Sequence, residues 1–312
     1  MNSTMVQAPT RPACAPLTGL GALAVRGPDA RAFLHAQLTI DIEHLPANRA
    51  RRAGWCSAKG RLLASFVVIP CADGYLLQVA RDLAPAVAKR LAMFVLRSKV
   101  TVADVSGEYR QLGVWGSGTQ DRLAACGLGV PEGDLALVRA GEVAAVRMGD
   151  ERFLVLGPSA QATEMERRID LPAGEEGAWT LAEIRAGRPL IVQATQDLFV
   201  PQMVNLESID GVDFKKGCYP GQEVVARTQY RGQLKRRMVR ARAPAGVKLA
   251  PAQDLYCDEF PGQASGTVVS TAPADGGSEL LAVVPVASAE GGKLRATPDG
   301  PPLEVLDLPY LP

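Results

Sequence analysis

Residues 215–223 read Lys-Lys-Gly-Cys-Tyr-Pro-Gly-Gln-Glu, and the rest of the chain is best read outward from them. Proline presets φ at the first central position of a tight turn and glycine accepts positive φ at the next. Tyr219-Pro220-Gly221-Gln222 is therefore expected to form a type II turn. Such a turn holds the Cys218 thiol within reach of solvent, beside Lys215 and Lys216, whose charges favour a thiolate. An isolated cysteine in an intracellular chain is more often a buried structural residue, so the residue types alone leave both roles open.

The wider stretch PQMVNLESIDGVDFKKGCYPGQEVVARTQYR, residues 201–231, resembles the signature of the YgfZ family. Those are folate-binding proteins, related to the aminomethyltransferase T-protein, that support iron–sulfur enzymes. The family's K-G-C-Y-x-G-Q-E is matched at every fixed position, by Lys216, Gly217, Cys218, Tyr219, Gly221, Gln222 and Glu223. Weaker similarity runs through FLHAQLTIDI (33–42), GWCSAKGRLLASF (54–66) and AEIRAGRPL (182–190). The resemblance implies an α+β fold in a T-protein-like three-domain arrangement around a central folate channel, ending in a small β-barrel.

The chain of 312 residues has a net charge of +1, which argues against a nucleic-acid or membrane partner recognised by the whole surface. No apolar run approaches the roughly 18–20 residues that span a bilayer. The opening MNSTMVQAPTRPACAP lacks a signal-peptide core, so residues 1–16 are expected to be a disordered tail on a cytoplasmic protein. Six scattered cysteines form no C-x-x-C pair, and His35 and His44 lack the spacing of a zinc helix, so no local metal site is expected.

Hydrophobic periodicity predicts a strand over 22–26 and a helix through Phe33, Leu34 and Leu38. A hairpin follows around Lys59-Gly60-Arg61, then a strand over 75–79. A helix is expected over 82–97, with Leu83, Val87, Leu91 and Phe94 along one face, and a strand over 100–105. These fill an N-terminal domain over 17–107, discontinuous and completed by about 172–230. A second α+β domain covers 108–171, with strands over 111–115 and between 135 and 156 and helices over 119–126 and 160–169. A short helix over 179–186 is stopped by Gly187 and Pro189, and dense glycine and proline mark residues 232–312 as the β-barrel.

Folate requires a stacking wall, a polar group for the pterin edge and cations for the glutamate tail. By resemblance Trp179 supplies the wall and Leu20 the opposite side, with Arg185 and Arg227 among the folate-binding residues. The basic residues Lys215, Lys216, Arg227, Arg231, Lys235, Arg236, Arg237, Arg240 and Arg242 admit three explanations: a tail site, an RNA or partner surface, or a solvated strand face. Departures from the T-protein pattern matter here. Ala64 and Ser65 stand where T-proteins carry an acidic pair, so the transferase's main acid/base group is missing. Arg185 stands where T-proteins carry a pterin-binding glutamate, so either folate binds differently here, or Glu183 or Glu223 replaces that carboxylate, or affinity is weak; Gln37-Leu38-Thr39-Ile40-Asp41 also departs from the family's Q-L-T-N-D.

The reading that follows is a folate-dependent accessory protein for assembly or repair of iron–sulfur enzymes, including tRNA-modifying ones. Tetrahydrofolate or a derivative is the implied cofactor, with Cys218 at its reactive end. Cys218 would act by thiol exchange or as a transient ligand of an iron–sulfur cluster shared with a partner. The expected partners are folate and the client enzymes, without direct nucleic-acid contact and without a membrane. The alternative is a tetrahydrofolate-dependent aminomethyltransferase, against which Ala64 stands. A scaffold without chemistry ranks third.

Overall fold

The computed structural model describes residues 11–231, 234–289 and 293–311. These fall into two compact units, one of residues 11–53 and 66–176, the other of 54–65 and 177–311. No helix among the described residues is long and apolar enough to cross a membrane.

The first unit holds two antiparallel five-stranded sheets. Its elements are β1 (Ala13–Pro16), β2 (Leu20–Arg26), α1 (Ala30–Gln37), β3 (Arg51–Cys56), β4 (Leu62–Cys71), β5 (Gly74–Ala80), α2 (Ala84–Ala92) and β6 (Thr101–Asp104). They continue with β7 (Tyr109–Trp115), α3 (Thr119–Ala125), β8 (Leu137–Ala140), β9 (Val143–Arg147), β10 (Arg152–Pro158) and α4 (Ser159–Ile169). One sheet runs β3-β4-β5-β2-β6, and the other β1-β7-β10-β9-β8. The turn end of the β3–β4 hairpin, Gly54–Ser65, belongs to the second unit.

Two expectations need correction. The segment expected to be a disordered tail is ordered at Ala13–Pro16, where β1 pairs with β7 in the register Cys14↔Val114; residues 1–10 lie outside the described residues. The small apolar Cys14 and Ala15 are 5% and 0% exposed, and burial, with a further push from Glu166, drives the Cys14 thiol up to about 12 against the opposing Arg110. A four-residue strand flanked by prolines carries too little periodicity to be read locally. The helix expected over 82–97 is shorter, Ala84–Ala92. Val87 and Leu91 bury as expected, but the chain leaves the helix at Met93, and Phe94 is 42% exposed instead of joining the buried face.

In the second unit α5 (Glu176–Arg185) and α6 (Gln222–Arg231) precede six strands: β11 (Arg236–Pro244), β12 (Asp254–Cys257), β13 (Ala264–Ala274), β14 (Gly277–Pro285), β15 (Leu294–Arg295) and β16 (Pro302–Leu306). The short helix α7 (Val286–Ala289) follows β14. The strands close as β11-β14-β13-β12-β15-β16, and β16 returns to β11 in the register Arg240↔Leu306. Closure leaves no unpaired sheet edge. Alternation along β11 sends Ala241 and Ala243 into the barrel core with Leu255, Val268 and Leu280, and leaves Arg240 and Arg242 on the outer face.

Candidate functional site

The motif Lys216–Glu223 forms a loop that leads into α6. The expected turn is present: Gly221 has φ of +78°, and the Gln222 N–H donates to the Tyr219 carbonyl at 3.2 Å. Its fixed partner is the turn of the β3–β4 hairpin, closed by the Gly60 N–H on the Ser57 carbonyl at 2.9 Å and by the Ser57 N–H on the Arg61 carbonyl at 2.8 Å. A β-carbon on Gly221 would lie 2.4 Å from the Ser57 carbonyl oxygen and 2.7 Å from the Gly60 backbone. On Gly60 (φ +71°) it would lie 2.8 Å from Val224 Cβ. The two sequence signatures are thus one site, because only glycine lets their backbones approach this closely.

The hairpin turn is braced in turn. The Ser57 hydroxyl donates to Asp197 Oδ1 at 3.0 Å, the Arg61 guanidinium donates to the Leu198 carbonyl at 2.6 Å, and the Leu62 N–H donates to the Phe199 carbonyl at 2.8 Å.

Within the loop, Gly217 and Cys218 are exposed whereas Lys216 and Tyr219 are 8% and 7% exposed. The Lys216 ammonium donates to the Gly217 carbonyl at 3.2 Å and lies 4.7 Å from the centre of the Tyr219 ring. It packs over its own loop, a cation–π contact that fixes the chain on both sides of Cys218. Burial, then the nearby Cys56 and Asp213, push the Tyr219 phenol above its ordinary value of 10, so it stays neutral. The Gln222 side chain donates to the Lys216 carbonyl at 3.4 Å, and Glu223 is exposed in the first turn of α6. Of the six free cysteines Cys218 alone is exposed. Burial drives the Cys56 thiol up to about 12 and, with Asp73, the Cys71 thiol up to about 11.

The remaining expected residues are spread. Trp179 is buried in α5, Arg227 is exposed on α6, and Leu20 is the half-buried first residue of β2 in the other unit. Arg185 closes on Glu279 of β14: its Nη2 and Nε donate to Oε1 at 2.8 and 3.1 Å. Glu279 is 1% exposed, Arg242 stands 3.5 Å from the same oxygen, and Arg240 Nη1 donates to the Arg185 carbonyl at 3.4 Å. Sequence reasoning missed Glu279, since nothing local signals a partner 94 positions away. Glu183 accepts from Arg188 at 3.3 Å. Ala64 is fully buried, and the Ser65 hydroxyl accepts the Ile191 N–H at 2.9 Å, so both positions serve packing.

Two further polar side chains are deeply buried. Gln202 and Asn205, 1% and 0% exposed, donate to the carbonyls of Val225 (2.8 Å) and Met238 (3.0 Å). Their acceptor oxygens, Gln202 Oε1 and Asn205 Oδ1, have no hydrogen-bond partner among the described residues. Orphaned buried acceptors suit the donor edge of a heterocycle or a bound water. Among the described residues no three His, Cys, Asp or Glu side chains gather as a metal site.

The fold has a clear counterpart. The glycine cleavage system aminomethyltransferase T from Bartonella henselae superposes over 97% of this chain and 87% of its own, with a TM-score of 0.75 at 18% identity. The family model described as the GCVT N-terminal domain matches residues 13–148. The chain therefore has the aminomethyltransferase T fold.

Closer relatives narrow this. The tRNA-modifying protein YgfZ of Edwardsiella ictaluri is 32% identical over 299 residues, covering 92% of this chain and 88% of the relative. That of Serratia proteamaculans is 31% identical over 293 residues with the same coverage. This chain belongs to the YgfZ family.

Proposed function

We propose that this protein is a cytoplasmic, folate-dependent accessory factor for assembly or repair of iron–sulfur enzymes, tRNA-modifying ones among them, and that it works through Cys218. The observation that carries this reading is the exposure of Cys218, alone among six free thiols, on a loop fixed by Lys216 and Tyr219 and by the Gly60–Gly221 approach. A fixed, exposed thiol suits exchange with a partner's sulfur or a transient bond to a client's iron. One thiol does not hold a cluster, so the client supplies the other ligands and the cluster is cargo.

The residues fit a folate in part. Trp179, buried in α5, would be the aromatic wall, the orphaned Gln202 Oε1 and Asn205 Oδ1 would accept from pterin N–H groups, and the exposed Arg227 would meet an acidic tail. Arg185 has a different task, the neutralisation of Glu279. Bound folate would supply a one-carbon-carrying nitrogen; the chain supplies the wall, the acceptors and the thiol.

Two experiments test the reading. In a strain lacking the protein, Cys218→Ala should abolish support of iron–sulfur client activity while the purified variant melts like the wild type. Undiminished client activity would sink the thiol role. Titration with 5-formyltetrahydrofolate should quench tryptophan fluorescence saturably, and Trp179→Phe should weaken it; no binding up to millimolar ligand would remove folate from the proposal.

A further inference from the structure

Beyond α2 the chain winds through successive turns before it returns to the sheet. The N–H groups of Met93, Phe94 and Val95 donate to the carbonyls of Arg90, Leu91 and Ala92 at 3.3, 3.0 and 3.2 Å, and the Ser98 N–H donates to Val95 at 2.8 Å. The tip so formed exposes Met93 by 71%, Phe94 by 42% and Leu96 by 89%. Leu96 has φ of +43°, a backbone state that a branched apolar residue keeps only when its surroundings impose it. Around the tip Lys89, Arg90, Arg97 and Lys99 are exposed, and the sequence has no acidic residue between Asp82 and Asp104. The Asp29 carboxylate also lies here, accepting the Lys99 backbone N–H at 2.8 Å.

Adjacent large apolar side chains in water, with four exposed cations around them and the Asp29 carboxylate beside Lys99, mark an interaction surface. We propose that residues 93–98 are a docking knob for a protein partner that presents an apolar cleft rimmed by aspartate and glutamate. Resting on the function proposed above, that partner is an iron–sulfur client. Three features of the knob together favour a preformed protein cleft. Its backbone is fixed by closed turns, its apolar side chains project as a convex tip, and its cations stand behind them. RNA offers phosphates to the cations, but its unpaired bases stack chiefly on aromatic side chains, and of the three exposed apolar residues only Phe94 is aromatic. A fluid bilayer accepts apolar side chains without requiring a fixed backbone.

The test uses the full chain with a benzophenone amino acid at position 96, cross-linked in cells. Companion variants are Leu96→Asp, which suits a left-handed backbone, and the triple reversal Lys89→Glu, Arg97→Glu and Lys99→Glu. The expected result is an adduct with an identified iron–sulfur enzyme. That enzyme's affinity for the purified protein should drop about ten-fold or more in Leu96→Asp and fall with salt and in the triple reversal.

Cys218 alkylation by iodoacetamide should stay within about two-fold of wild type in both variants, as for surface changes that leave the fold intact. An adduct only with a protein that lacks an iron–sulfur cluster overturns the proposal. So does flotation with vesicles of phosphatidylglycerol and phosphatidylcholine, or a shift of bulk tRNA abolished by the charge reversals. Client support read beside Cys218→Ala separates the two ideas. Loss in Cys218→Ala with full support in Leu96→Asp overturns the knob and leaves the thiol reading. Loss in Leu96→Asp with full support in Cys218→Ala does the reverse.

Discussion

Gly221→Ala perturbs the junction on which the proposed site depends. Alanine in the left-handed conformation observed there, φ +78°, costs about 1–2 kcal/mol. Its β-carbon would also stand 2.4 Å from the Ser57 oxygen and 2.7 Å from Gly60. Both are backbone atoms that cannot rotate away, so overpacking adds about 1–3 kcal/mol. The sum is about 2–5 kcal/mol, and at about 2–4 °C per kcal/mol the melting temperature should fall by about 4–20 °C. Calorimetry and urea unfolding measure the loss, and the rate at which Cys218 reacts with an aromatic disulfide measures whether the loop has moved. Gly60→Ala pushes the same two segments apart, so the double variant should lose less than the sum of the singles. An unchanged melting temperature together with an unchanged Cys218 rate in Gly221→Ala would refute the argument that this close approach holds the thiol loop.

Further outcomes follow from other contacts. At pH 8 the native protein should titrate one fast thiol and reveal six once unfolded, with Cys218→Ala removing the fast phase; a fast phase surviving in that variant contradicts the exposure pattern. Burial raises the Glu279 carboxyl, but hydrogen bonds from Arg185 and the charges of Arg185, Arg240 and Arg242 outweigh it and hold the group below 4.5. Such a group stabilises the fold above its unfolded-state pKa, and that contribution is lost as pH falls through the lower folded-state value. Glu279→Gln should therefore cost about 2 kcal/mol at pH 7, reduced from a fully buried pair because Arg185 is 36% exposed, and the difference from wild type should shrink below pH 4.5. A difference that grows in acid would reverse the sign of this reasoning. Tyr310→Phe removes the hydroxyl that donates to the Gly187 carbonyl at 2.6 Å and should lower stability by about 1 kcal/mol in urea titration.

Much of the fold was legible because its elements announce themselves locally. The β3–β4 hairpin follows from Lys59-Gly60-Arg61 between apolar runs, α1 from Phe33 and Leu34, and the barrel from short strands between glycines and prolines. The helix α6 was not legible. Its sequence, QEVVARTQYR, is polar and β-branched, and it lies in the basic stretch, for which a tail site, an RNA or partner surface and a solvated strand face all stood open. What settles it as a helix is tertiary: Val225 is fully buried and its carbonyl accepts from Gln202. The end of α2 was misread for the opposite reason, because Phe94 continues the apolar period although the backbone has already turned away.

By itself the sequence determined the family, the turn at Pro220-Gly221 and the absence of an acid at Ala64, since each is written in residue type and spacing. It named the cysteine and the glycines but not their relation. Only the tertiary structure brought Gly60 against Gly221, folded Lys216 over Tyr219, buried four thiols and half-buried Cys71 while leaving Cys218 exposed, and closed Arg185 on Glu279. The physical reason is that turn chemistry depends on neighbouring φ and ψ, whereas burial and ion pairing depend on which distant segments a fold brings within a few ångströms.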